Sequence, residues 1–150
     1  MKSAVLFFFI FLVSGCAPLA LKPADFSWPV ESELKVNSNG TVQEDRYSIS
    51  FDVNPLFYEE TKDSTDVSGR TIRLIRDERG YYFVTSVNFK NVYVFSQNDG
   101  YLSLQKKISV SKEGLSSPAF NQRAPYIELL NGNNTPIMLT KDGIVEEGKK

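Results

Sequence analysis

Histidine is absent from the 150 residues, and the chain holds a single cysteine, Cys16. Without imidazole there is no Ser-His-Asp or Cys-His catalysis and no commonest zinc ligand. What remains for chemistry is carboxylates, arginines and aromatic hydroxyls. Two facing acids suffice for glycoside hydrolysis, and Glu59 and Glu60 stand side by side. Neighbours on a strand or helix point apart, however, so the pair reads as solvated and no enzyme is expected. Arg70, Arg73, Arg76 and Arg79 recur every three residues. On a strand that spacing places Arg70 and Arg76 on one side and Arg73 on the other.

Interleaved with Tyr81, Tyr82 and Lys90, these arginines could cup a phosphate, a sulfate or a uronate of an envelope glycan. The competing reading is a sheet edge guarded by charge. The aromatic set Tyr81, Tyr82, Phe83, Phe89, Tyr93, Phe95 and Tyr101 could stack sugars or line a lipid pocket. Such a set also serves as the core and rim of an aromatic sheet, and alternation puts Tyr81, Phe83, Val87 and Phe89 on one side. The candidate ligand-binding residues are Arg73, Arg76, Tyr81, Tyr82 and Tyr93. No glycine-rich phosphate loop or calcium loop occurs. Asp99-Gly100 and Asp142-Gly143 read as turns, and neither metal nor cofactor is expected.

The N-terminus carries a different chemistry. Lys2 precedes the apolar run Val5 to Val13, and Val13-Ser14-Gly15-Cys16 follows. A cationic residue, a short apolar core and small residues before a cut point make a secretory signal. The run is too short for the roughly twenty residues that span a bilayer. The tetrapeptide resembles the lipobox of bacterial lipoproteins. That resemblance covers residues 1–16 and implies a diacylglycerol thioether on Cys16, cleavage before it and acylation of the new amine. More than one acyl chain gives stable membrane anchorage. Ala17 follows the cysteine, which in Gram-negative lipoproteins resembles the pattern sent to the outer membrane. The resemblance thus implies a cell-envelope protein with the membrane itself as one partner: in a Gram-negative cell it would sit at the outer membrane, facing the periplasm rather than the exterior, and in a Gram-positive cell on the outer leaflet of the one membrane.

Cleavage would leave 135 of the 150 residues, enough for one domain with its own core. With its cysteine acylated the domain would hold no disulfide. Net charge is −1, so nucleic acid is not an expected partner. The charge is uneven: from Asp25 to Asp66 it sums to −7, and from Val67 to Arg123 to +5. Oppositely charged strands that pair in space would account for this; a two-faced docking surface is the sharper alternative.

These residues must be positioned by strands. Residues 16–29, with Pro18, Pro23 and Pro29, read as a tether, in which Phe26 and Trp28 pack against the domain edge. Residues 30–145 read as one β domain and 146–150 as a tail. Asn39-Gly40 suits a two-residue hairpin turn, which would set Lys35 opposite Glu44 and Glu33 opposite Arg46. Leu34 and Val36 would then share a face with Gln43, Asp45, Tyr47, Ile49, Phe51 and Val53. Asn54-Pro55 starts a short helical turn, with Asn54 as its cap. Asp77 to Gly80 would turn Thr71–Arg76 into Tyr81–Val87, pairing Leu74 with Val84 and Ile75 with Phe83. Asp99-Gly100 would set Phe95 opposite Leu104. Lys112 to Pro125 reads as irregular, and Tyr126–Leu130 and Pro136–Thr140 as strands.

The expected fold is all-β: about seven to nine antiparallel strands in a single sandwich or partly open barrel. Three functions follow as expectations. The first is a non-enzymatic accessory lipoprotein docking on another envelope component. The second is a small-ligand or glycan-binding domain, and the most remote a carboxylate-dependent hydrolase. Docking calls for an exposed apolar or charged patch, ligand binding for an aromatic pocket with convergent polar groups, and hydrolysis for two carboxylates facing each other in a cleft.

Overall fold

Strands between Thr71 and Ser109 form the centre of the molecule. The computed structural model describes residues 30–145. The signal segment 1–15, Cys16, the tether 16–29 with Phe26 and Trp28, and the tail 146–150 lie outside the described residues. The elements in chain order are β1 (Ser32–Lys35), β2 (Thr41–Glu44), β3 (Ile49–Asp52), α1 (Asn54–Thr61), β4 (Thr71–Arg76) and β5 (Tyr82–Ser86). There follow β6 (Asn91–Asn98), β7 (Tyr101–Ser109), β8 (Pro118–Arg123), β9 (Tyr126–Asn131), β10 (Ile137–Thr140) and β11 (Gly143–Ile144). The strands build an antiparallel five-stranded sheet, β1-β4-β5-β6-β7, a four-stranded sheet, β11-β10-β9-β8, and a two-stranded ribbon, β2-β3. None of these sheets closes into a barrel, and the fold is all-β and sandwich-like, as expected.

The five-stranded sheet is the middle layer because its strands are apolar on both faces. Ile72, Leu74, Tyr82, Val84 and Tyr93 point to one side, where Val42, Val53, Phe57 and Phe89 meet them. Ile75, Phe83, Val92 and Val94 point to the other, against Leu115, Phe120, Ile127, Leu129 and Leu139. Odd and even positions of one strand thus feed two separate cores. The ribbon and α1 cover the first face and the four-stranded sheet covers the second. Strand β5, buried at every position, lies at the centre of its sheet. Full burial of such side chains is worth about 1.5–3 kcal/mol each.

Three expected registers are present: Leu74 with Val84, Ile75 with Phe83, and Phe95 with Leu104. Between β6 and β7 the register shifts at Val94/Phe95, so that Gln105 has no partner. This is a β-bulge.

Other local expectations are corrected. Two strands beyond nine are present. One is β8, which lies within the supposedly irregular 112–125 because Pro118 stands at the first position of an edge strand, where its missing N–H costs no ladder bond. The other is the two-residue β11.

The Asn39-Gly40 turn does not close a hairpin. β1 pairs with β4, Glu33 lying opposite Arg73, and β2 pairs with β3, Glu44 opposite Ile49. Asn37 holds the turn through the N–H of Thr41 (2.9 Å), and Gly40, at φ +78, packs so tightly on Asn54 that a side chain would overlap it. The true hairpin turn is Asp45–Ser48, with Ser48 left-handed at φ 52. It displaces the inward set of β2 by one residue: Val42 and Glu44 are buried while Gln43 and Asp45 are exposed.

Helix α1 runs two turns rather than one. The N-cap position is Val53, and Asn54 is the first helical residue rather than the cap; its N–H is taken by the Asp52 carboxylate at 2.8 Å. The left-handed Asn88 (φ 67) splits the aromatic set: Phe83 enters the second core, Phe89 the first, and Val87 is exposed.

Candidate functional site

The five candidate ligand-binding residues do not form one site. Arg73 and Arg76 leave β4 on opposite faces, as their spacing requires. Arg73 Nη1 lies 2.7 Å from Glu33 and 3.2 Å from Glu31. The other Glu31 oxygen accepts the main-chain N–H of Phe120 on β8 (2.7 Å), so this trio joins the edges of two sheets. Burial raises the Glu31 pKa despite the Phe120 and Arg73 contacts.

Arg76 and Tyr82 are brought together. The guanidinium lies 5.5 Å from the ring centres of both Tyr47 and Tyr82, a cation–π arrangement, and its Nε is buried without a partner. Tyr82 is 1% exposed, and its phenol donates to Gln97 at 3.0 Å. Burial raises its pKa, with Arg76 opposing. Tyr81 is half-buried on the second core, with the Lys141 ammonium 5.8 Å from its ring centre. Tyr93 lies deep in the first core. The set is therefore mostly packing.

Glu59 and Glu60 also diverge. Glu60 accepts from the Lys90 N–H, the Asn91 amide and the Tyr93 phenol, each at 2.7 Å. Burial, then this carboxylate, raises the Tyr93 pKa far above the ordinary phenol range. Glu59 pairs with Lys107 of β7 at 2.7 Å, which lowers the carboxyl pKa and raises the lysine's. The Glu59–Lys107 and Arg73–Glu31 pairs match the acidic first half of the chain with its basic second half. Among the described residues no three acid, histidine or cysteine side chains cluster as a metal site would need.

A well-formed concavity lies elsewhere, between the free side of β3, the start of α1 and the far end of the β6–β7 hairpin. It is an open cleft of about 490 Å³, with Ile49, Phe51, Leu56, Phe95, Leu102 and Tyr101 as its main apolar lining. Such a volume falls within the range of ligand-binding clefts. The cleft exists because the ribbon is narrow: it leaves one corner of the five-stranded sheet uncovered. At that corner Tyr101 is 65% and Leu104 55% exposed. Ser48, Ser50, Asp52 and Gln97 supply polar groups around the lining.

Of the aromatic set only Phe95 and Tyr101 line this cleft; the remaining lining residues look in sequence like ordinary alternating core. The available signal was Leu102 and Leu104, two residues apart beside the hairpin turn, with too little chain in the ribbon to cover both. A smaller cavity of about 220 Å³ lies among Asp77, Arg79, Tyr126 and Lys141.

Comparison with family models, with curated proteins and with solved structures gives no match. Among the described residues no helix is long and apolar enough to cross a membrane.

Proposed function

We propose that this chain is a non-enzymatic, lipid-anchored accessory module of the bacterial cell envelope. In this reading Cys16 carries the anchor, at the outer membrane if the cell is Gram-negative, and the domain docks on another envelope component from the periplasmic side. The observation that carries the docking reading is the uncovered apolar corner at Phe95, Leu102, Leu104 and Tyr101 beside the cleft. Exposed apolar surface of this kind, rimmed by polar groups, marks interaction sites. Hydrolysis is disfavoured by the separate engagements of Glu59 and Glu60.

The second reading, a small-ligand or glycan domain, draws on the cleft volume and on Phe51, Phe95 and Tyr101 around it. The Arg76–Tyr82 pair lies beyond Gln97 and touches that cleft only through Tyr82's hydrogen bond. Arg73, Tyr81 and Tyr93 take no part in it.

The test is photo-cross-linking in intact cells with a benzophenone side chain at Tyr101 and, as a control, at exposed Val87. A reproducible adduct with one envelope protein from position 101 alone supports docking. Equal labelling from both positions, or none from either, would count against it.

A further inference from the structure

The hydrogen-bond phase of the ribbon shows which main-chain groups face the cleft. Val53 donates its N–H to Gly40 (2.9 Å), and the ladder register continues to this pair. In an antiparallel pair hydrogen-bonded and open positions alternate. The bonded pairs are therefore Gly40–Val53, Val42–Phe51 and Glu44–Ile49. Ser50 and Asp52 consequently turn their N–H and C=O groups away from β2. Among the described residues no main-chain group outside the ribbon meets them. All five residues from Ser48 to Asp52 line the cleft, opposite Phe95 and Leu102. The cleft is thus the space beside an open strand edge, floored by apolar side chains.

We infer that the cleft takes an extended polypeptide segment of a partner protein, which adds to β3 as a third strand of the ribbon. This rests on the docking reading above and specifies its chemistry. Main-chain groups on an open edge are the recognition element of strand addition, and pockets for alternate side chains supply selectivity. Ser50 and Asp52 offer two donors and two acceptors about 6.8 Å apart, one strand repeat. An acyl chain has no hydrogen-bonding groups along its length to meet that pattern, and a peptide backbone repeats donors and acceptors at the same spacing.

Charge complementarity narrows the segment further. Asp52 is the one charged side chain along the cleft, and its Oδ1 already accepts the Asn54 N–H. The segment that fits is uncharged, with apolar side chains at alternate positions directed at Phe95 and Leu102. Leu104, on the same face through its pairing with Phe95, extends the floor. Gln97, whose Oε1 is occupied by Tyr82, leaves its amide nitrogen as a donor beside the lining.

The test uses full-length protein in detergent micelles and a panel of fluorescein-labelled, capped hexapeptides of alternating Thr-Val, Thr-Phe and Ser-Leu, read by anisotropy. At least one should bind saturably. N-methylation of every second amide should weaken it about tenfold or more, because the donors to the strand edge are gone. Ser50→Pro removes an outward N–H that β2 does not use, and should weaken binding similarly while the circular dichroism spectrum is retained.

If that variant misfolds, the N-methyl series still decides. Failure of all three peptides, equal binding of the N-methylated forms, or saturable binding of dodecanoate alone would overturn strand addition. Self-association abolished by the same substitution would assign the edge to a second copy, and would also overturn it. A cross-link from Tyr101 in cells without any peptide binding would remove this inference and leave the docking reading standing.

Discussion

The Tyr93 phenol on β6 donates to the Glu60 carboxylate on α1 across 2.7 Å. The same carboxylate takes the Lys90 N–H and the Asn91 amide, so one side chain fastens the helix to the middle sheet by three hydrogen bonds. Hydrogen bonds to a charged group are worth about 1.5–3 kcal/mol each, and groups left buried without partners add to the loss. Glu60→Ala is therefore expected to destabilise by about 2–4 kcal/mol and Tyr93→Phe by about 1 kcal/mol. The double variant should lose less than the sum, since the residues share a bond. Urea unfolding of the four proteins checks this; strict additivity would disprove the coupling.

Acid pH should act on two buried carboxylates in opposite senses. Burial raises the Glu44 pKa, but Ser32 and Arg46 outweigh it and hold the carboxyl below its ordinary value of 4.5. A depressed folded pKa contributes stability above the unfolded value that disappears as pH falls through the folded one. Glu31, raised above 4.5 by burial, favours the fold below that value and loses this contribution as pH rises through its folded pKa. Glu44→Gln should flatten the decline in stability below pH 4.5, whereas Glu31→Gln should remove a loss of stability that sets in above pH 4.5 as the pH rises towards neutral. Melting temperatures from pH 3 to pH 7 for both variants provide the comparison.

Gly114 combines a left-handed backbone (φ +106) with a close approach: a Cβ there would sit 2.8 Å from the Asn88 carbonyl oxygen. Gly69 is also left-handed (φ +77) but has nothing within 4 Å. Alanine at 69 should cost only the backbone conformation, about 1–2 kcal/mol, and alanine at 114 clearly more. Equal losses in thermal denaturation would show that the loop moves away freely.

Because the five-stranded sheet belongs to both cores, damage on either side should unfold the whole domain. Leu74→Ala on the first face and Leu129→Ala on the second should each cost about 2–5 kcal/mol. Far-UV dichroism and tyrosine fluorescence should report coincident transitions in both. Separate transitions in Leu129→Ala would mean that the four-stranded sheet melts alone.

The middle sheet was legible because local signals and burial agree there. The turn Asp77–Gly80 and the two-faced apolar pattern of Thr71–Arg76 lead to the same register for Leu74, Ile75, Phe83 and Val84. The ribbon was misread because Asn39-Gly40 is a real turn whose arms pair elsewhere; β1 finds its partner 36 positions away, at Thr71 opposite Lys35. No local pattern reports that distance. Pro118 hid β8, since the residue that excludes a central strand is tolerated at an edge. The candidate arginines and tyrosines were chosen by chemical type, yet Tyr82 and Tyr93 are buried. The cleft instead arises from a shortage, a ribbon two strands wide on a sheet five strands wide. A missing strand leaves no motif.

The unpaired Gln105 has a further effect on the strand that carries it. Leu102, Leu104 and Ile108 are all at even positions and in a regular strand would point the same way. With one residue added between them, Leu104 pairs with Phe95 on the cleft face while Ile108 pairs with Val92 and enters the opposite core. Deleting Gln105 would therefore act as a choice between the two: the chain could keep its interior or its cleft floor, but not both. A single insertion in an ancestral hairpin would be enough to give a strand already committed to folding a second, outward-facing use.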